Sequence, residues 1–426
     1  WVFVDVFKHA DEWTPEELGS HSFATSKNLS FREDGYPAAL EVNQAVQALT
    51  LRDLEEHYTN GWYTVFYDGD GVLDFSADVT AVQRLKPGHI LVHLQLRAEA
   101  SSGLGIKISH TLSEDPIRNI RIITPGFEER SEVSPFHPAF VASLQRFSML
   151  RFTEWMHAES KHTPINWTER TTSLHFSQGT TRGVSLEYIV LLVNEVAKSP
   201  WISLPVNAPN DYIQSLFSML ASDLRPDLSV YLELGSEVWD LASTSGQWAQ
   251  EQASAAGISH LCWYVRRTSE VAMMAREFLG VDRQIVIVVT SNVSDTTVTS
   301  DLLVCPGIGS VTAVGVGPLF DGYGALQNPG GGLDAVLANY DLQAAASVNL
   351  VRNHKALLSD AGLQLVAYRA GPAGQGNGSD SDLSLRAHRH PAMRAIVDNY
   401  LQALAEEVNL VVYYSSCGGN SAHGSW

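Results

Sequence analysis

The sequence predicts an α/β fold, a (β/α)8 TIM barrel with an inserted antiparallel β-sandwich, on three observations. Residues 35–125 contain several short strand patterns separated by Gly, Pro and Ser clusters, which is typical of a sandwich. After Pro125 the chain alternates between apolar strand patterns and amphipathic helix patterns. Removing the roughly 90 residues of the β-rich block leaves about 330, enough for a barrel with long loops.

These patterns divide the chain into three predicted segments. Residues 1–34 hold the first barrel strand, at 2–7, and its loop. Residues 35–125 form the sandwich, with strands at 62–67, 72–75, 89–96, 106–108 and 117–123. Residues 126–426 form the remainder of the barrel. Its predicted strands are 148–152, 201–206, 229–234, 284–290, 311–316, 363–368 and 410–414, and its helices are 185–198, 211–224, 246–279, 333–361 and 391–408.

An open doubly wound sheet is the rival architecture for alternating strands and helices. No Gly-x-Gly-x-x-Gly sequence follows a predicted strand, so the nucleotide-binding version of that sheet has no support. One strand before the β-rich block and seven after it give the eight that a barrel requires.

Charge and composition exclude several classes of partner. The 426 residues include 28 Lys and Arg against 47 Asp and Glu, a formal charge of -19. A chain this acidic is repelled by phosphate backbones and anionic lipids, so no nucleic-acid partner is expected. No apolar run reaches the roughly 18 residues that cross a bilayer, so no membrane span is predicted.

Several features predict a secreted glycoprotein, extracellular or at the cell surface. The chain begins with Trp1 rather than Met, as a processed product does. Four Asn-x-Ser/Thr sequons lie in polar, loop-like contexts, at Asn28, Asn166, Asn292 and Asn377. Three cysteines permit at most one intrachain disulfide and leave its pairing open: Cys262, Cys305 and Cys417. Neither the cysteines nor the histidines have the spacing of a metal site, and no cofactor is predicted.

The fourth predicted barrel strand carries the strongest candidate for chemistry. Alternation places Tyr231, Glu233 and Glu237 on the inward side, with Glu237 at the carboxyl end of the strand, where barrels hold their sites. A carboxyl group beside the aromatic wall of Trp239 is desolvated, which raises its pKa and lets it hold a proton. The alternative is an ordinary buried Glu with a paired partner. Glu233 lies deeper and is predicted to be structural.

Aromatic residues at predicted strand ends suit a carbohydrate groove, because sugars present apolar C–H faces. The candidates for substrate binding are Trp155, Trp201, Trp239, Tyr323 and Tyr368, together with Arg151 and Ser236. Core packing is the alternative for each aromatic residue. For Arg151 the alternative is an Arg–carboxylate network beneath the cleft.

The sequence Ser236-Glu-Val-Trp-Asp240 resembles the Asn-Glu-Val-Trp-Asn of secreted, cellulase-like glycoside hydrolases with the clan A barrel. Other segments resemble the same group in the same order, at 3–7, 115–121, 136–140, 150–156, 184–188 and 424–426. The resemblance implies a barrel with an inserted sandwich and, in active members, a retaining mechanism with two carboxylates. It makes Glu237 the acid/base and places a nucleophilic Glu at the end of strand seven.

The sequence departs from that pattern at strand seven. Arg369 occupies the nucleophile position, and a guanidinium stays protonated and cannot attack an anomeric carbon. We also expect Arg369 to pair with Glu237 and depress its pKa. The Asn that precedes the acid/base is replaced by Ser236. Asp321, after strand six, is the best candidate for a substitute carboxylate, and Glu154 is the next.

The sequence therefore predicts a catalytically inactive, glycoside-hydrolase-like protein that binds a polysaccharide or glycan or serves in an extracellular assembly, with structural proteins or copies of itself as partners. The alternative is an active β-glycanase that uses Glu237 with a non-standard second carboxylate across an inverting separation of about 6.5–9.5 Å. A third class, an interaction protein that binds no carbohydrate, stays open because fold does not fix function.

Overall fold

The computed structural model describes residues 1–18, 29–52, 58–95, 103–159, 166–322, 324, 332–373 and 380–415. The chain divides into two compact units, which are described separately. The first comprises Trp1–Ser148, Glu154–His157 and His162–Lys198, and the second comprises Met149–Thr153, Ala158–Lys161 and Ser199–Trp426. Residues 1–34 and 126–148, predicted as barrel, fall in the first unit with the β-rich block.

The first unit is built mainly from antiparallel strands. In chain order these are β1 (Thr14–Glu17), β2 (Ser30–Phe31), β3 (Pro37–Ala39), β4 (Gln44–Thr50), β5 (Gly61–Asp68), β6 (Gly71–Ala77), β7 (Val79–Lys86), β8 (His89–Leu94), β9 (Leu104–Thr111) and β10 (Arg118–Ile123). One four-stranded sheet has the order β1-β4-β9-β6 and a second the order β10-β5-β8-β7, while β2 pairs with β3. The unit also holds α1 (Pro138–Leu144), α2 (Leu186–Val196) and the 3-10 helices Val6–His9, Arg130–Glu132 and Trp167–Glu169.

Both four-stranded sheets contribute side chains to one hydrophobic cluster. Val46 and Ile106 come from the first sheet, and Tyr63 and Val92 come from the second. In β8, buried residues alternate with half-buried ones, as expected where one face of a strand meets a core. Full burial of each large apolar side chain contributes about 1.5–3 kcal/mol.

Residues 2–7 are not the first strand of the parallel sheet, which corrects the prediction. Phe3 pairs with Phe136 and Asp5 with Ile123 in isolated antiparallel bridges. The Asp5 carboxylate accepts from the backbone N–H of Phe7 at 3.1 Å and of Ile122 at 2.8 Å. Its bond to Phe7 caps the 3-10 helix that begins at Val6, so the extended segment ends there. The alternating pattern reflected burial rather than membership of the barrel.

The second unit is an eight-stranded parallel sheet. Its strands are β11 (Met149–Arg151), β12 (Ser199–Leu204), β13 (Val230–Leu234), β14 (Ile285–Ser291), β15 (Ala313–Val316), β16 (Leu319–Asp321), β17 (Gln364–Ala373) and β18 (Leu410–Tyr413). Their order is β11-β12-β13-β14-β15-β17-β16, and β18 also pairs with β17. The strand order follows the chain closely, as in a (β/α)8 barrel, and all seven strands predicted after the β-rich block are present.

Helices follow most strands of this sheet. They are α3 (Asn210–Asp223), α4 (Thr244–Ala256), α5 (His260–Leu279), α6 (Thr296–Leu303), α7 (Gly332–Leu358), α8 (Asp380–His388) and α9 (Pro391–Ala405), with a 3-10 helix at Ile308–Ser310. The single helix predicted at 246–279 is two helices. Gly257 ends α4 in the left-handed conformation at φ 68°, and the Ser259 side chain caps α5 by accepting from the backbone N–H of Cys262.

A disulfide joins Cys262, in α5, to Cys305, just after α6. It resolves the pairing that the sequence left open, and Cys417 lies outside the described residues. Within the described ranges, no helix is both long and apolar enough to cross a membrane.

Candidate functional site

Glu237 lies in the turn that follows β13. Gly235 adopts φ 66°, and a Cβ there would lie 2.8 Å from a Val238 methyl group, so a side chain is excluded by both strain and contact. Glu237 itself has φ 50°, an uncommon conformation for a residue with a side chain. The turn thus holds the Glu237 carboxyl at the carboxyl end of the strand, with 30% of the side chain exposed.

Two residues of β17 face this carboxyl group. The Tyr368 hydroxyl donates a hydrogen bond to Glu237 Oε1 at 3.2 Å. Arg369 Nη1 lies 3.8 Å from the same oxygen, an ion pair that is too long for a hydrogen bond. The ion pair predicted between Arg369 and Glu237 is therefore present.

The pKa of Glu237 is nevertheless raised, contrary to the expectation that Arg369 would depress it. Burial is the largest cause, and the negative charge of Glu159 adds to it. Arg369 and the Tyr368 hydrogen bond act in the opposite direction but do not outweigh burial. The carboxyl group at the strand end can thus hold a proton at a higher pH than an ordinary glutamate.

A second Arg–Glu pair lies deeper, on the inward side of the sheet. Glu233 is fully buried, and Arg151 Nη2 donates to its two carboxylate oxygens at 3.1 and 2.8 Å. The Trp201 indole N–H donates to Glu233 Oε2 at 2.8 Å, and the Ser203 hydroxyl donates at 3.2 Å. Because each carboxylate oxygen has a donor, this buried charge is satisfied within the protein, and Glu233 has the structural role expected of it.

Tyr368 connects the two groups. The Arg151 guanidinium lies 5.4 Å from the Trp201 ring centroid and 5.1 Å from that of Tyr368, in cation–π range of both. Burial, with the nearby charge of Glu237, raises the pKa of Tyr368 well above its ordinary value, so the hydroxyl remains a donor. The buried pair thus supports the ring whose hydroxyl positions Glu237.

Two predicted sugar platforms have a packing role instead. Trp201 has no exposed surface and Tyr368 is 2% exposed, so neither ring can offer a face to a sugar. Ser236 is also buried, and Arg151 is engaged by Glu233. Alternation located these residues correctly on the inward side but could not show how tightly aromatic rings fill it.

The remaining aromatic candidates differ in location. Trp239 is half-buried beside Glu237, and its ring N–H has no acceptor in the part of the chain that the structure describes. Trp155 belongs to the first unit, where its ring stacks on Phe140 with centroids 6.3 Å apart. Tyr323 lies outside the described residues.

Asp321 is half-buried at the end of β16, opposite Ala373. Ala373 follows Arg369 by four residues, or about 13 Å of strand. The charge of Asp321 helps to raise the pKa of Tyr340. Glu154, the other candidate carboxylate, belongs to the first unit.

Two of the four sequons are described. Asn166 is exposed, and its side-chain oxygen accepts from the backbone N–H of Thr168 at 3.2 Å. Asn292 is half-buried after β14 and accepts from the N–H of Ser294 at 2.9 Å. Asn28 and Asn377 lie outside the described residues.

Two residues that shape the site, Tyr414 and Glu159, were not among the candidates predicted from the sequence. The Arg369 guanidinium carbon lies 4.2 Å from the centroid of the Tyr414 ring, directly after β18. Glu159 acts on Glu237 through its charge. Tyr414 could have been found as an aromatic residue at the end of strand eight, but Glu159 has no strand-end pattern. Among the described side chains, no group of three His, Cys, Asp or Glu could hold a metal ion.

No protein-family profile and no curated protein matches the chain. A GH51 arabinofuranosidase from Xanthomonas axonopodis pv. citri is similar at TM-score 0.42 and 11% identity, over 66% of this chain and 60% of its own. A GH10 endoxylanase retrieved from sugarcane soil metagenome is similar at TM-score 0.32 and 10% identity, over 65% and 79%. The chain therefore spans less than two thirds of the arabinofuranosidase, and the likeness concerns the fold alone.

Proposed function

We propose that this chain is a secreted, glycoside-hydrolase-like protein that binds a glycan at the Glu237 end of its parallel sheet without hydrolysing it. The observation that carries the proposal is the pair formed by Glu237 and Arg369. A retaining glycosidase needs a second carboxylate about 5–5.5 Å from its acid. Here a guanidinium approaches to 3.8 Å, and it can supply neither a nucleophile nor a general base.

Secretion is part of the proposal and has one structural support. Disulfides persist mainly in oxidising compartments, and the chain carries one between Cys262 and Cys305. We also propose that the two four-stranded sheets pack face to face as a sandwich, because both supply residues to one core cluster. An extracellular assembly, with other structural proteins or with copies of this chain, is the setting we propose for an inactive glycan-binding protein.

The test is hydrolysis of soluble β-glucans and β-mannans by the wild type, Glu237→Gln and Arg369→Glu, with reducing ends as the readout. We expect no turnover by the wild type and some by Arg369→Glu, since that change restores a carboxylate at the nucleophile position. Clear wild-type turnover that disappears in Glu237→Gln would overturn the inactive assignment. Binding of the same polymers in affinity electrophoresis tests the glycan-binding half.

An active glycanase is the second candidate, favoured by the raised pKa of Glu237, which suits a general acid. It requires a second carboxylate, for which Asp321 is the candidate. If the wild type hydrolyses glucan, Asp321→Asn tests whether Asp321 is the second carboxylate. Loss of turnover would identify Asp321 as that carboxylate, and unchanged turnover would exclude it.

A further inference from the structure

Arg369 differs from the other arginine of the inward-facing groups in how its donors are used. Arg151 is 9% exposed and binds Glu233 through both Nε and Nη2. Arg369 has 30% of its side chain exposed, and its closest carboxylate contact, at 3.8 Å, is beyond hydrogen-bond range. Throughout the described ranges, we find no hydrogen bond donated by Arg369, and its Nε is buried without an acceptor. A ligand cannot reach the buried Nε, but it can use the N–H donors of the two Nη groups, which are not buried.

Tyr414 holds the orientation of this guanidinium. With the Tyr414 ring centroid 4.2 Å from its central carbon, Arg369 is fixed by a cation–π contact rather than by hydrogen bonds. This contact leaves the in-plane N–H groups uncommitted. A planar fork of N–H donors matches the two oxygens of a carboxylate or two oxygens of a sulfate, and neutral sugar hydroxyls cannot use it as fully.

We propose that Arg369 is a ligand-binding residue and that the glycan bound at this site carries an oxyanion, a carboxylate or a sulfate, on the sugar that Arg369 contacts. The inference rests on the proposed function, because it names the class of glycan for that same site. Arg369 occupies the position at which the glycoside hydrolases that the sequence resembles have a catalytic carboxylate. In this proposal its role there is to bind a charged group of the ligand.

Glu237 adjusts this recognition. The charged groups that act on Glu237 are Glu159 and Asp240, which favour its protonated form, and Arg369, which opposes it; Tyr368 contributes a hydrogen bond. When Glu237 takes up a proton, the guanidinium loses the counter-charge that lies 3.8 Å away and is free for the ligand. Binding of the acidic glycan should therefore tighten as the pH falls through the raised pKa of Glu237, provided that the pH stays above the ordinary pKa of a carboxylate, so that the ligand remains ionised.

The chain's overall charge sharpens the test. At a net charge of -19 the protein repels acidic polymers, so a preference for one over its neutral analogue must come from local cations. Carboxymethylcellulose and hydroxyethylcellulose share one β-glucan backbone and differ in charge, and cellulose sulfate provides the sulfate arm. The full chain is compared with Arg369→Met, Arg369→Lys and Arg394→Met. The last variant is the control, because it makes the same substitution at an arginine whose side chain is 88% exposed.

Affinity electrophoresis at pH 5 and pH 7 gives the readout, with thermal unfolding as the check that each variant folds. We expect about tenfold weaker binding of the acidic polymer by Arg369→Met, a smaller loss in Arg369→Lys and no change in Arg394→Met. A stronger response to carboxymethylcellulose than to cellulose sulfate would identify the oxyanion as a carboxylate, and the reverse would identify a sulfate.

Three results would overturn the inference. Equal binding of the acidic and neutral polymers, unaffected by Arg369→Met, removes the oxyanion while leaving glycan binding intact. Acidic-polymer binding that survives Arg369→Met places the cation elsewhere. Absence of binding to every polymer contradicts the proposed function itself, and with it this inference.

Discussion

The hydroxyl of Tyr368, in β17, donates to the carboxylate of Glu237, which follows β13, at 3.2 Å. Since β14 and β15 lie between these strands in the sheet, the bond joins two strand ends that the backbone ladder does not connect directly. The position of Glu237 therefore depends on a phenol that is itself packed against the buried Arg151.

Removing that hydroxyl should raise the pKa of Glu237 further. The hydrogen bond favours the charged carboxylate, so Tyr368→Phe loses a contribution that lowers the pKa. NMR titration of carboxyl-labelled glutamate, with Glu237→Gln to assign the signal, measures the change. An unchanged or lower pKa in Tyr368→Phe would contradict this account of the site.

The pH dependence of stability should also report on Glu237. Its folded-state pKa is raised above the ordinary 4.5, so its contribution is fully favourable below that pH and is lost as the pH rises through the folded value. Glu237→Gln mimics the protonated state at every pH. We expect the variant to gain stability over the wild type at pH 7 and to match it near pH 4.

Denaturant unfolding at the two pH values measures this difference. Glu251→Gln, at an exposed position in α4, is the control and should show no such trend. A Glu237→Gln variant that is less stable than the wild type at pH 7 would falsify the sign of the shift.

Breaking the buried Arg151–Glu233 pair should be among the most destabilising single changes in the second unit. Arg151→Met leaves the fully buried Glu233 without its counter-charge, and such losses cost about 3–5 kcal/mol in the free energy of unfolding. Urea unfolding measures the loss. The double variant Arg151→Met, Glu233→Leu removes both charges and should recover much of it, whereas equal losses in the two variants would mean that packing rather than charge explains the effect.

The disulfide should stabilise the second unit measurably. It links residues 43 positions apart, for which the chain-entropy estimate is about 4 kcal/mol and typical values are about 2–4 kcal/mol. Cys262→Ala with Cys305→Ala should lower the midpoint of thermal unfolding, and reductant should lower it in the wild type alone. An effect of reductant on the double variant would point to another cross-link.

Glycosylation at Asn166 tests the prediction that this sequon is used. The residue is exposed, and Thr168 completes the sequon while its N–H and hydroxyl both donate to the Asn166 side chain. When the protein is expressed through a secretory pathway, endoglycosidase treatment should change its electrophoretic mobility. The change should be smaller for Thr168→Ala than for the wild type. Thr168→Ser preserves the sequon and should behave as the wild type does.

The parallel sheet was largely predictable because its strands are buried on both faces. Such strands form continuous apolar runs, of which 285–291 is the clearest, and the helix patterns between them are strongly periodic. The prediction that residues 2–7 form the first barrel strand was wrong because a period of two indicates burial but does not identify the partner strand. The split at Gly257 was missed because a single glycine interrupts a pattern that is helical on both sides.

The site was predictable in its residue types and less so in its balance of forces. Glu237 could be placed from the end of its strand, and the resemblance to clan A glycoside hydrolases placed Arg369 opposite it. The direction of the Glu237 pKa shift could not be predicted, because it depends on whether the effect of burial outweighs the effect of the Arg369 charge. Trp201 and Tyr368 are too buried to contact a sugar. Their burial depends on how the core packs, which the periodicity of the sequence does not show.

The strand β17 pairs with β15 along 364–367, with β18 between 366 and 370, and with β16 along 371–373. Its backbone is thus engaged along nearly its whole length, while the side chain at 369 is half-buried opposite Glu237. Selection can therefore exchange the group at that position with little risk to folding. A saturation library should find broad tolerance for abundance at 369 and narrow tolerance at Val366 and Ala367, whose side chains are buried. The side chain at 369 can thus vary while the strand that carries it stays fixed by its three neighbours.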